Sequence, residues 1–252
     1  MHKLIVVALA FLLPTGLSAK AAEIKLLSAI ALQQLMENVA PKFEAASGHT
    51  LTITFAPLGQ ALKRLQDGET YDAAILPQRG MEGLVKDDKA VADTGAVIAI
   101  TLIGVAVRKG APKPDISSPE AFKRAMLAAK SITHGNPAYG GLSGIYVTSM
   151  LARLGIAEQM KPKTVLLDKA GLAGVLVANG AADLVIQPIQ ELVVVPGIDI
   201  VGPLPDELQD TVPYPAAIMT TTKDMVPSKA LFNFLRTPAS ITLIRAMGME
   251  PG

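Results

Sequence analysis

The chain has 252 residues, half of them apolar, with 23 basic and 22 acidic residues and a net charge of +1. That length suits one large domain or two small lobes, and the apolar share is ample for a core. A near-neutral balance with 4% aromatic residues, no Trp and no Cys leaves no footprint for nucleic acid, no stacking platform, no disulfide and no Cys-ligated zinc.

The first residues read as a secretory signal peptide. Met1-His2-Lys3 gives a positive start, "LIVVALAFLLPTGL" (4–17) an apolar run, and Ala19-Lys20-Ala21 small residues at a cleavable spacing. The run is shorter than the ~20 apolar residues a membrane span needs. Cleavage is expected after Ala21, with export to the periplasm. Losing Lys3 and Lys20 leaves 21 basic against 22 acidic residues, a net charge of −1.

"EIKLLS" (23–28) predicts a strand. A helix follows, with Leu32, Leu35, Met36, Val39 and Phe43 at helical spacing, Pro41 expected to kink or split it, and Gly48 to end it. "TLTITF" (50–55) alternates as a strand does, "APLGQALKRLQDGE" is a turn and a helix, "YDAAIL" (71–76) a buried strand, and "MEGLVKDDK" a short helix. This strand–helix alternation is the mark of a parallel sheet wrapped by helices.

"VIAITLIGVAVRKG" (97–110) reads as one extended β-rich run. A proline linker leads to a helix capped by Ser117 or Ser118, with Pro119 and Glu120 in its first turn. The segment "SITHGNPAYGGLSGIYV" (131–147) is a strand that breaks into glycines and opens a helix. "KTVLL" and "ADLVIQ" predict strands flanking the helix "GLAGVLVANG", and the tail is a β-rich "YPAAIMTTT" followed by two helices. The fold class is α/β, with two lobes as the most economical reading and one doubly wound sheet as the alternative.

Ligands of such sheets sit at the carboxyl ends of the strands. Four junctions stand out: Ser28; the turn holding Leu58, Gly59 and Gln60; the cradle of Tyr139, Gly140, Gly141, Ser143 and Gly144; and Gln187 in "QPIQE". Each places backbone N–H groups at a helix start, where carboxylates or oxyanions bind without a cation. Arg79, after the third strand, and Lys169, before the helix opened by Gly171, are candidate cations. Each of these residues also has a plain capping, packing or surface reading.

The mature chain resembles the periplasmic solute-binding proteins of ABC importers, in the molybdate-binding-protein-like branch. The resemblance is carried by "IKLLSAIALQQLMENVAPKFEAASGHTLTITFAPLGQALKRLQDGETYDAAIL", "GVAVRKGAPKPDISSPEAFKRAMLAAKSITHGNPAYGGLSGIYV" and "VANGAADLVIQPIQELVVVPGIDIVGPLP". It implies a periplasmic-binding-protein-like fold, each lobe a parallel-rich sheet, with a ligand cleft between lobes made of residues 22–100 plus 213–252 and 101–212. It also implies a small anionic ligand, a membrane permease as partner, no cofactor or metal, and a monomer. Molybdate binders hold the oxyanion with hydroxyls; Ser28 matches the first, Pro57-Leu58-Gly59-Gln60 lacks the second, and the region of Gln187 and Pro188 lacks a tyrosine. An organic carboxylate or another small anion therefore fits better.

Bacterial aconitate isomerases are similar proteins of the same branch, which makes an isomerase of unsaturated carboxylic acids the alternative function. That chemistry needs a base near neutral pKa. His134 and Glu191 are the candidate catalytic residues, since His2 leaves with the signal and His49 falls in an expected surface turn. A cleft-facing His134 would leave proton transfer open there; a ring buried in its lobe would leave the glycine stretch a cradle. No HExxH, GxSxG or Walker loop is present.

Overall fold

The computed structural model describes residues 21–139, 142–168 and 171–252. The signal segment 1–20, Gly140, Gly141 and Lys169 fall outside the described residues, and so does the side chain of Tyr139. The first unit runs β1 (Glu23–Ala29), a 3-10 turn (Ile30–Leu32), α1 (Gln33–Ser47), β2 (Thr50–Ala56), α2 (Leu58–Gln66), β3 (Ala73–Ile75), α3 (Gln78–Lys86), β4 (Ala90–Val91) and β5 (Val97–Thr101). Then come β6 (Ile103–Arg108), α4 (Pro119–Ala128), β7 (Ile132–His134), α5 (Leu142–Arg153), α6 (Ala157–Met160), α7 (Gly174–Ala178), β8 (Leu184–Pro188), α8 (Ile189–Leu192) and β9 (Ile198–Pro203). The chain ends with β10 (Val212–Met219), α9 (Val226–Leu235), α10 (Pro238–Ala246) and β11 (Met249–Pro251).

Two open sheets result. The larger has the order β11-β5-β10-β3-β1-β2 with β4 beside β10; the smaller has the order β7-β8-β6-β9. The α/β class with two sheets stands as expected, but the sheets are mixed rather than parallel-rich. Among the described strands β1–β2, β1–β3 and β7–β8 pair in parallel; β10 runs antiparallel to β3, β4 and β5, and β6 antiparallel to β8 and β9. The cause is the crossing between sheets. A strand that arrives from the other sheet needs no helical crossover on this one, so nothing forces it to run parallel.

The run 97–110 is two strands, not one. The chain leaves the larger sheet at Leu102, with Thr101 paired to Val212 on one side and Ile103 to Pro188 on the other. In β6 both faces are covered. Val105 and Val107 join a core with Phe122, Met126, Met150 and Ile186, while Ala106 joins Ala173, Val177 and Val185 on the opposite face. A strand buried on both faces reads as a continuous apolar run, which conceals where one sheet stops.

In the larger sheet, β1–α1–β2 steps one way and β2–α2–β3 steps back across β1. With right-handed crossovers this puts α1 and α2 on opposite faces. Leu35, Met36, Val39 and Phe43 of α1 are buried as their spacing predicts. Pro41 lies inside α1 without splitting it, because it stands on the exposed face, where water can serve the carbonyl that lost its partner. His49 is a second correction: it is buried at 6% exposure against Phe43, and its Nδ1 accepts from the Ala22 N–H at 3.2 Å. "KTVLL" forms no strand, only a single bridge between Thr164 and Ile132. Ser118, not Ser117, caps α4, accepting from the Ala121 N–H at 3.1 Å.

Candidate functional site

The register of β1 with its neighbours pairs Ala29 with Ala56 and Ser28 with Ile75, so the strands end level. The 3-10 turn before α1, then α2 and α3, therefore start along one edge of the larger sheet. The residues before them are Ala29, Pro57 and Pro77, and none gives a side-chain cap. In the smaller sheet α8 starts the same way after Pro188. By contrast α4 and α10 are capped by Ser118 and Thr237. The first amides of a helix lack internal partners, and among the described residues no N-cap side chain takes them at these four starts.

The two sheets meet where the chain crosses. The Ile189 N–H donates to the Leu102 carbonyl at 2.8 Å, bringing α8 against the crossing. Gly248, at φ +75°, lies so close to α8 that a Cβ there would stand 2.6 Å from Ile189 Cγ2 and 3.1 Å from its carbonyl carbon. Gln209 joins the outgoing and returning segments, accepting from the Ile103 N–H at 2.7 Å and donating to the Ile103 carbonyl at 3.0 Å.

Next to the Gly248–Ile189 contact, a cavity of about 520 Å³ is lined by residues of both units. Ile30, Gln33, Gln34 and Glu37 are among those from the first helical segment, Gly171 and Leu172 come from before α7, Gln190 and Glu191 from α8, and Val194, Met247 and Met249 from beyond. Among the described residues its lining has carboxamides, two acids and an apolar wall, and no Lys, Arg or His.

Glu191 is half-buried, and desolvation in this setting pushes its carboxyl up to about 7. Its Oε2 accepts from Gln187 Nε2 at 2.7 Å, and Gln187 Oε1 accepts from the Gly174 N–H at 3.2 Å. Tyr214, at the start of β10, is also buried. Its phenol is raised mainly by burial; a hydrogen bond with Thr101 opposes this and the charge of Glu191 adds to it.

The structure brings Gln187 and Glu191 together and keeps them apart from several other sequence candidates. Ser28 lies inside β1, wholly buried, with its Oγ against the Ala29 carbonyl at 3.4 Å. It is the last but one residue of β1, and it does not line the cavity. Gly59 and Gln60 are exposed at the start of α2, and Leu58 packs on Gly80 of α3. Arg79 is exposed in the first turn of α3 and does not line the cavity.

His134 ends β7 at 3% exposure, with Nδ1 2.8 Å from the Gly135 carbonyl. Burial lowers its pKa, partly offset by that hydrogen bond. The ring belongs to the interior of its lobe and not to the cavity. Gly144 is buried where a Cβ would collide with the Gly135 carbonyl, and half-buried Ser143 packs on Gly135. Packing of α5 on the preceding turn therefore accounts for Gly144. Gln33, Gln34, Gln190, Tyr214 and Thr101 were not singled out from sequence. Gln190 stands inside the quoted "QPIQE", whereas the other four have no local signal.

The family profile described as bacterial extracellular solute-binding protein matches residues 24–250. The chain is 32% identical to an aconitate isomerase from Pseudomonas sp. over 231 residues, covering 89% of this chain and 86% of that one. It is 27% identical to the molybdate-binding protein ModA of Azotobacter vinelandii, covering 92% and 91%. Among solved structures, the tungstate-binding protein TupA of Desulfovibrio alaskensis G20 superposes with a TM-score of 0.68 at 15% identity, covering 92% of this chain and 99% of that one.

Proposed function

The chain belongs to the bacterial extracellular solute-binding proteins, and on that premise we propose that it captures a small organic carboxylate between its two sheets. The observation carrying this reading is the lining of the 520 Å³ cavity. Leu172, Val194, Met247 and Met249 offer an apolar wall, which suits a carbon skeleton and gives nothing to a tetrahedral oxyanion. Gln33, Gln34 and Gln190 offer amide donors, and protonated Glu191 offers an O–H to a carboxylate. Export to the periplasm after cleavage near Ala21, action as a monomer and delivery to the permease of an ABC importer complete the proposal. The lobes, residues 22–100 with 213–252 and residues 101–212, would close on the solute about the crossings at Leu102 and Gln209.

A second reading is favoured by one observation, the carboxyl of Glu191 at about 7 on the cavity wall. An acid poised there is half-ionised at neutral pH and can both accept and return a proton. On an unsaturated tricarboxylate, Glu191 would take a proton from a methylene carbon. The electron pair would shift the double bond by one position through the adjoining carboxylate system, and the proton would return at the other carbon. The likeness to the Pseudomonas aconitate isomerase supports this reading.

The test is a thermal-shift panel of citrate, cis- and trans-aconitate, molybdate, tungstate and sulfate, with chromatography of the aconitates. A ligand at 100-fold its Kd stabilises by about 2.7 kcal/mol, so the true solute stands out. The largest shift is expected from a tricarboxylate, and one from molybdate or sulfate would overturn the first reading. Interconversion of the aconitates that disappears in Glu191→Gln supports the second reading; a strong shift without interconversion refutes it.

A further inference from the structure

In β8, Ile186 turns into the core shared with α4 and α5, while Val185 and Gln187 turn to the opposite face, toward α7. Gln187 is 1% exposed there, a buried primary amide whose partners must come from the protein. It accepts the Gly174 N–H at one end and donates to Glu191 Oε2 at the other. The hydrogen bond crosses the corner at Pro188, from the end of β8 to the first turn of α8.

We propose that Gln187 is a positioning residue for Glu191 and not a contact for the ligand: it anchors Oε2 to the backbone at the start of α7 and leaves Oε1 for the cavity. This rests on the second reading above, in which Glu191 carries a proton. A donor on Oε2 favours the ionised carboxylate and so opposes desolvation. Burial is what raises Glu191. The titratable groups around it are Glu37 of α1, which lines the same cavity, and Tyr214 of β10, a phenol whose own pKa the Glu191 charge raises; among the described residues no cation lines the cavity. Gln187 is the side-chain donor that meets this carboxyl among the described residues.

The experiment is a pH titration of the mature chain labelled with 13C at the glutamate carboxyls, with the Glu191 signal identified by its loss in Glu191→Gln. Wild type is expected to titrate at about 7. Gln187→Met, which keeps length without a donor, and Gln187→Glu, which sets a second acid beside the first, should each raise that midpoint by on the order of one pH unit. A wild-type Glu191 titrating in the ordinary range overturns the proton-carrier reading itself. A wild-type midpoint near 7 that neither variant moves overturns the positioning role and leaves that reading standing. Loss of the fold in both variants, seen by circular dichroism, also counts against it, since it would mark Gln187 as structural.

Discussion

Replacing Glu191 by Gln should make the protein more stable at high pH while leaving it nearly unchanged at low pH. The carboxyl is moved from its ordinary 4.5 to about 7 by burial. A raised acid is favoured in the folded state while protonated, so stability is complete below 4.5 and is lost as pH rises through about 7. At 1.36 kcal/mol per pH unit the loss approaches about 3 kcal/mol at pH 8 and above. Gln has the same shape and no charge, so Glu191→Gln escapes the loss. For a chain of this size about 3 kcal/mol corresponds to roughly 6–12 °C in Tm. His134 has the opposite sign: burial lowers its pKa, so its contribution is present above 6.5 and is lost as pH falls below that value. Both proteins carry His134, and the difference between their curves isolates Glu191. The assay is thermal unfolding of both from pH 4 to pH 9. Curves that stay parallel across that range would refute a desolvated, raised Glu191 and remove the physical basis of the second functional reading.

Gly144→Ala places a Cβ into the Gly135 carbonyl, backbone against backbone; a loss of about 1–3 kcal/mol is expected from overpacking, measured as the urea midpoint, and a neutral result would show that the turn before α5 is loose. Gln209→Ala removes the acceptor of the Ile103 N–H and the donor to the Ile103 carbonyl. It should cost about 1–3 kcal/mol and speed hydrogen exchange at the Ile103 amide, and unchanged exchange would show that the crossings do not depend on it. Phe122→Ala empties a wholly buried site in the core of the smaller sheet; about 3–5 kcal/mol is expected, and calorimetry should place the loss in that unit if the two sheets unfold separately.

The elements with a one-residue rule were legible in the sequence. The spacing of Leu35, Met36, Val39 and Phe43 put α1 on the core before any contact was known. Ser117 or Ser118 before Pro119 marked the start of α4, where the structure selects Ser118, and Gly48, at φ +73°, marked the end of α1. Pairing direction was not legible, because it depends on the sheet from which a strand arrives. The split at Leu102 was hidden for the same reason. A strand covered on both faces and a crossing between two sheets give one uninterrupted apolar run.

The candidate site divides along the same line. Sequence identified helix starts at strand ends, a rule local to each junction, and named Gln187 and Glu191 among them. It offered Ser28 and His134 by position along the chain; both are buried and neither lines the cavity, and burial depends on packing from segments distant in sequence. Sequence by itself determined the class of fold, the caps and the helical faces, because these follow from neighbours a few residues apart. Only the tertiary structure decided that Gln34 and Glu191 share a wall and that Glu191 is dry enough to titrate near 7. Desolvation is a property of everything within several ångströms, and most of what surrounds that carboxyl lies far from it in the chain.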